Sequence, residues 1–142
     1  MKKIILVLLW IVSFTLTAQE SGIQFINDTT LANAKQENKL LFVDCYTSWC
    51  SPCRYMEKNI FNLPEVAEFY NSHFICWKVD TEKLHNPADI AAFSNYHILA
   101  WPTFLFLNEK GEIMHRAIGA DSASNFIELG KTALDAGALV KT

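Results

Sequence analysis

Hydrophobic and polar positions along the 142 residues fall into runs whose order predicts an architecture. Leu40 to Tyr46, Phe74 to Val79 and Thr103 to Leu107 are nearly unbroken apolar runs, the mark of strands buried on both faces. Ile23 to Ile26 alternates and predicts a short edge strand. Between these lie stretches with helical spacing. Asp28 or Thr29 caps a helix reaching about Asn38. A second helix runs from about Cys50 to Phe61, with Cys53, Met56 and Ile60 on one side, until Asn62-Leu63-Pro64 breaks it. Glu65 to Asn71 forms another helical piece, and Pro87 opens a helix over 87–95. Asn108-Glu109-Lys110-Gly111 reads as a hairpin turn into a strand at Glu112 to Arg116. Ser122 or Ser124 caps a last helix, in which Phe126, Leu129, Ala133 and Leu134 share a face. Strands separated by helices imply parallel pairing, and the hairpin adds an antiparallel edge. The expected class is α/β, with a central mixed sheet and helices on both faces.

The N-terminus departs from this pattern. Lys2 and Lys3 precede the apolar run Ile4 to Val12, and Ser13 to Ala18 ends on a small residue. A basic start, a short apolar run and a small residue at the end describe a secretory signal peptide. The run falls short of the roughly 20 residues that span a bilayer. The expected division is a signal peptide at 1–18, cleaved near Ala18, and one domain at 19–142; an uncleaved anchor is the alternative, and the one expected contact with a membrane. Lys2 and Lys3 are the only charged residues removed, leaving 10 basic against 15 acidic side chains. A net acidic chain does not offer a nucleic-acid surface. Export places the protein, in a periplasm or another exported location, where disulfides form and persist. All four cysteines (Cys45, Cys50, Cys53 and Cys76) lie beyond residue 18.

Cys50-Ser51-Pro52-Cys53 sits where a buried strand gives way to a helix. Unpaired amides and the helix dipole favour negative charge there, so a thiol loses its proton more easily. The thiolate is the nucleophile of thiol–disulfide exchange, and the two-residue spacing lets the second sulfur close a ring on the first. Cys50 is therefore expected to attack and Cys53 to resolve. The alternatives are a static disulfide or half of a zinc site. The chain has no second CxxC and no His-x3-5-His to complete the latter, and no metal or other cofactor is expected.

With those residues in view, the sequence resembles the thioredoxin family. Val43-Asp44-Cys45-Tyr46-Thr47-Ser48-Trp49-Cys50-Ser51-Pro52-Cys53 is similar to the family's Val-Asp-Phe-Trp-Ala-x-Trp-Cys-Gly-Pro-Cys. Trp101-Pro102-Thr103 looks like its cis-proline segment, Asp80 like the Asp that ends a strand, and Gly119 like the Gly after the last hairpin. The whole is most like small exported bacterial members of the family. The resemblance implies roles. Asp44 becomes the buried acid beneath the resolving cysteine, exchanging a proton with Cys53; a strand-end Asp bonded to backbone is the alternative. Pro52 holds the redox loop in shape. Pro102 becomes a cis-proline facing the cysteines, with Trp49, Trp101 and Thr103 beside it on the substrate side.

Several positions depart from the family pattern. Cys76 stands four residues before Asp80, where many thioredoxins carry a Lys near the buried acid, so Asp44 is expected to lack a cation. The stretch Glu82 to Asn95 makes the chain longer than a compact thioredoxin near the site. Trp101 is bulky for the position before the cis-proline. If Cys76 shares a face with Asp44, as the resemblance implies, Cys45, one residue on from that acid, points to the opposite face, and both cysteines are expected to stay free. The resulting expectation is an exported thiol–disulfide oxidoreductase, a reductase of protein or small-molecule disulfides fed by an unidentified electron donor. A non-catalytic binding module, metallochaperone or assembly factor is the alternative.

Overall fold

A computed structural model describes residues 21–27, 29–35 and 39–140; the expected signal segment lies outside them. The elements in chain order are β1 (Phe25–Ile26), α1 (Leu31–Ala34), β2 (Leu40–Tyr46), α2 (Ser51–Asn59), α3 (Pro64–His73), β3 (Phe74–Asp80), α4 (Pro87–Tyr96), β4 (Thr103–Leu107), β5 (Ile113–Ile118) and α5 (Ala123–Val140). The order is the expected one. The sheet runs β1-β3-β2-β4-β5, with β2 at its centre.

Two expectations are corrected. β4 follows a helix yet pairs antiparallel to β2, not parallel, with Cys45 opposite Thr103 and Leu41 opposite Leu107. α4 ends at His97 in a left-handed conformation (φ 51°), and the loop that follows brings the chain into β4 from the end of the sheet where β2 stops. A helix between two strands supplies length for a crossover, but the loop after it sets the direction of return. The first helix is one short turn and does not reach Asn38. Thr30 caps it, taking the N–H of Asn33, and Lys35 is already extended; Asp28 and residues 36–38 lie outside the described residues.

Strand periodicity divides the core in two. Phe42, Phe74, Cys76, Phe104 and Phe106 meet Met56, Ile60, Val66, Tyr70 and Phe126 from α2, α3 and α5. Leu41, Val43, Cys45, Val79 and Leu105 meet Leu31, Ala34, Phe93 and Tyr96 from α1 and α4. The first layer is aromatic. Tyr70 stacks on Phe126 at 4.5 Å, and its hydroxyl donates to the Phe126 carbonyl at 2.7 Å, so the ring is buried without an orphaned polar tip. Where α5 crosses α3, Gly130 leaves room for Phe69; a Cβ there would lie 2.5 Å from the ring. Ser122 caps α5 through Asn125 N–H, one of the two expected residues. No helix among the described residues is long and apolar enough to cross a membrane.

Candidate active site

β2 ends at Tyr46, and a tight turn carries the chain into α2, with Cys50 N–H donating to the Thr47 carbonyl at 3.2 Å. Cys50 is the N-cap of α2, and its sulfur accepts the N–H of Cys53 at 3.2 Å. An N-cap side chain normally offers oxygen to that amide; here Sγ takes the role, so any negative charge on it meets a helix terminus and a donated hydrogen bond. Pro52, in the first turn, has no N–H to leave unpaired there. Cys50 and Cys53 are joined in a disulfide, with Cα atoms 5.3 Å apart.

Asp44 lies on the face of β2 that α2 covers and is only 2% exposed. Its Oδ1 has no hydrogen-bond partner, which leaves no sign of the strand-end, backbone-bonded alternative at that atom. Burial pushes its carboxyl up to about 7, against the pull of Lys78 and with a smaller push from Glu57. The expectation that this acid lacks a cation is thereby corrected. Lys78, two residues beyond Cys76, pairs with Asp44 across β2 and β3. Its ammonium, however, is held by Glu57 at 2.7 Å and lies over the Tyr46 ring. A cation already shared with another carboxylate cannot offset the desolvation of Asp44, so burial wins.

β4 starts opposite the end of β2, so the Trp101–Pro102 segment stands at the same end of the sheet as the cysteine turn. The Trp101–Pro102 peptide is cis. Gly119, at positive φ after β5, donates its N–H to the Pro102 carbonyl at 2.9 Å. Thr103 is fully buried, its hydroxyl given to the Ala100 carbonyl at 2.7 Å.

Trp49 is 59% exposed and so lies on the surface beside the cysteine turn. It meets Trp101 edge to face at 5.4 Å, and its indole N–H points to both Glu82 carboxylate oxygens at 3.0–3.1 Å. Trp101 donates to Thr81 Oγ1 at 2.8 Å, and Thr81 N–H returns to the Tyr46 carbonyl. The two tryptophans are thus fixed side by side next to the disulfide. Arg54 is exposed and donates to the Ser48 carbonyl at 3.2 Å. Cys45 and Cys76 are buried and free, on opposite faces of the sheet. Burial raises the Cys76 thiol to about 12 and the Cys45 thiol well above its ordinary value.

Lys78, Glu57 and Thr81 are not among the site residues expected from sequence, and Glu82 is expected there only as the first residue of the stretch near the site. Glu57 follows Cys53 by one helical turn, a spacing that puts both on one face of α2. Lys78 shares the strand parity of Cys76. Those were the available signals.

The sequence model of the thioredoxin-like domain matches residues 28–134. Thioredoxin H4 of Arabidopsis thaliana is 37% identical over 91 residues, covering 64% of this chain and 69% of that protein. The thiol:disulfide interchange protein DsbD of Vibrio cholerae is 34% identical over 101 residues, 71% of this chain but 16% of that much longer protein. Among solved structures, a disulphide-isomerase candidate from Bacteroides thetaiotaomicron superposes with a TM-score of 0.68 at 36% identity, over 82% of this chain and 97% of the other. The family match spans the strand-to-helix turn, the cis-proline and β2 to β5, and the chain accordingly belongs to the thioredoxin family and is a thiol–disulfide oxidoreductase.

Proposed function

We propose that this protein is an exported reductase of protein disulfides, with Cys50 as nucleophile, Cys53 as resolving thiol and Asp44 as the proton acceptor. One observation carries the reading: Cys50 Sγ caps α2 and takes the Cys53 amide, while a carboxyl poised near neutrality is buried beneath the same helix. In the dithiol form the Cys50 thiolate attacks one sulfur of a substrate disulfide. That bond breaks, and the other substrate sulfur leaves as a thiolate that takes a proton from water. Cys53 passes its proton to Asp44 and attacks Cys50 Sγ. The mixed disulfide breaks, the second substrate sulfur departs, and the Cys50–Cys53 disulfide forms. Two electrons pass to the substrate, and a thiol donor restores the dithiol. Trp49 and Trp101 form the surface over which the substrate segment lies; Pro102 and Thr103 are buried behind it, so the Thr103 side chain, expected on the substrate side, serves the loop instead.

The reducing direction rests on the absence of charge in Ser51-Pro52 and on the exposure of Arg54, whose guanidinium is spent on a backbone carbonyl in high dielectric. Export rests on the N-terminal segment, and the likeness to DsbD supports a periplasmic setting. Reduction of insulin by the dithiol form tests the activity, and titration against glutathione tests its direction. A disulfide more stable than that of the strong periplasmic oxidants is expected. A potential near theirs would reverse the direction, and failure to reduce insulin would favour the binding-module alternative.

A further inference from the structure

Met56 is fully buried on α2, one turn beyond Cys53 and on the same side of the helix. It belongs to the aromatic core layer, together with Phe61, Phe104 and Phe126. For packing alone, Leu would serve there about as well. One contact sets Met56 apart. The backbone N–H of Asp121 donates to its Sδ at 3.3 Å. Asp121 lies in the loop between β5 and α5, ahead of the helix, where its partly buried amide has no helical carbonyl to reach. A thioether is a weak acceptor, yet it is the partner this amide finds.

The same loop holds the other side of the site. Gly119, two residues earlier, donates to the Pro102 carbonyl at 2.9 Å. The Asp121 carboxylate takes the Ser122 N–H at 2.7 Å and the Asn125 side chain at 2.9 Å, which anchors the loop on α5. Contacts therefore run from Met56 through Asp121 and Gly119 to Pro102, joining the cysteine helix to the cis-proline segment from within. Trp49 against Trp101 joins them at the surface.

We infer that Met56 is a positioning residue for disulfide exchange: its sulfur keeps α2 in register with the Trp101–Pro102 segment. The inference rests on the exchange reaction proposed above, in which the substrate segment lies over Trp49 and Trp101. A polypeptide whose sulfur reaches Cys50 must meet both tryptophans at one spacing. A surface already held at that spacing needs little ordering on binding, and a loosened support is felt at the reacting sulfurs.

Met56→Leu keeps the volume and removes the acceptor, so the core is little disturbed. Reduction of insulin by the dithiol form is compared with reduction of hydroxyethyl disulfide, which is too small to lie across the tryptophans. The efficiency ratio of insulin to hydroxyethyl disulfide is expected to fall about fivefold in the variant, through KM for insulin. That is the ratio about 1 kcal/mol yields, the net worth of one hydrogen bond. An unchanged ratio, or a fall carried by kcat, overturns the inference and leaves Met56 as packing. Amide exchange read by NMR in the parent protein needs no variant. The Asp121 amide is expected to be protected, and free exchange there overturns the inference as well. Reduction of neither disulfide removes the reductase reading and this inference with it.

Discussion

Asp44 shows how one residue can be legible in type and still be decided by its neighbours. An Asp in an apolar strand announces an unusual carboxyl, but its proton affinity depends on Lys78 and Glu57, which reach it from β3 and α2. The sign of the resulting pH dependence is fixed. Between the ordinary carboxylate value of 3.8 and about 7 the folded state holds a proton that the unfolded chain has released. Stability of the oxidised protein therefore falls as pH rises through that window and levels off above it. The loss relative to Asp44→Asn, which has no such proton, is at most about 4 kcal/mol. Thermal melting of both proteins from pH 4 to 8 checks it, and parallel profiles would mean that Asp44 ionises normally. Kinetics should follow the same carboxyl. Resolution of the mixed disulfide should speed up through the Asp44 titration, with its midpoint raised in Lys78→Met and lowered in Glu57→Gln. Stopped-flow pH profiles read this directly; shifts in the same direction would separate the pair from the acid.

At the scale of elements, α4 depends for its stability on residues outside it. Its last turn contains no basic side chain to meet the carbonyls at its C-terminus. Arg116, from β5 at the sheet edge, supplies that charge across nearly twenty residues of sequence. Replacing it with Met should cost about 1–2 kcal/mol, the range for a partly exposed hydrogen bond to a charged donor. Amide exchange should quicken across 87–97 more than in β2 or β4. Urea unfolding and hydrogen exchange measure the two effects, and unaltered protection of α4 would show that Asp89 and Tyr96 hold it without Arg116. The boundaries of α2 and α4 were readable because Cys50 and Asn86 cap them locally and Pro52 and Pro87 open them. Arg116 was not, since nothing within β5 points to a helix end.

For the molecule as a whole, the sheet separates the cysteines by chemistry. Cys50, though buried, caps a helix beyond the end of β2 and accepts an amide there, whereas Cys45 and Cys76 lie in different core layers under packed aromatic and aliphatic side chains. Brief iodoacetamide treatment of the reduced protein at mildly acidic pH should label Cys50 first, with Cys45 and Cys76 appearing only on unfolding. Peptide mapping by mass spectrometry decides it. Equal labelling of three thiols would remove the helix-terminus argument, and a Cys45–Cys76 disulfide would contradict the face assignment.

The chain by itself determined the order and kind of the elements and the place of the redox pair at a helix start. All of these follow from periodicity and capping, which act over a few residues. Only the tertiary structure decided that β4 runs antiparallel to β2, that Lys78 replaces the cation missing at Cys76, and that Trp49 and Trp101 are fixed by Glu82 and Thr81. Each depends on which strand lies beside which and in what register. That is set by packing across the whole core, and a local pattern carries no record of it.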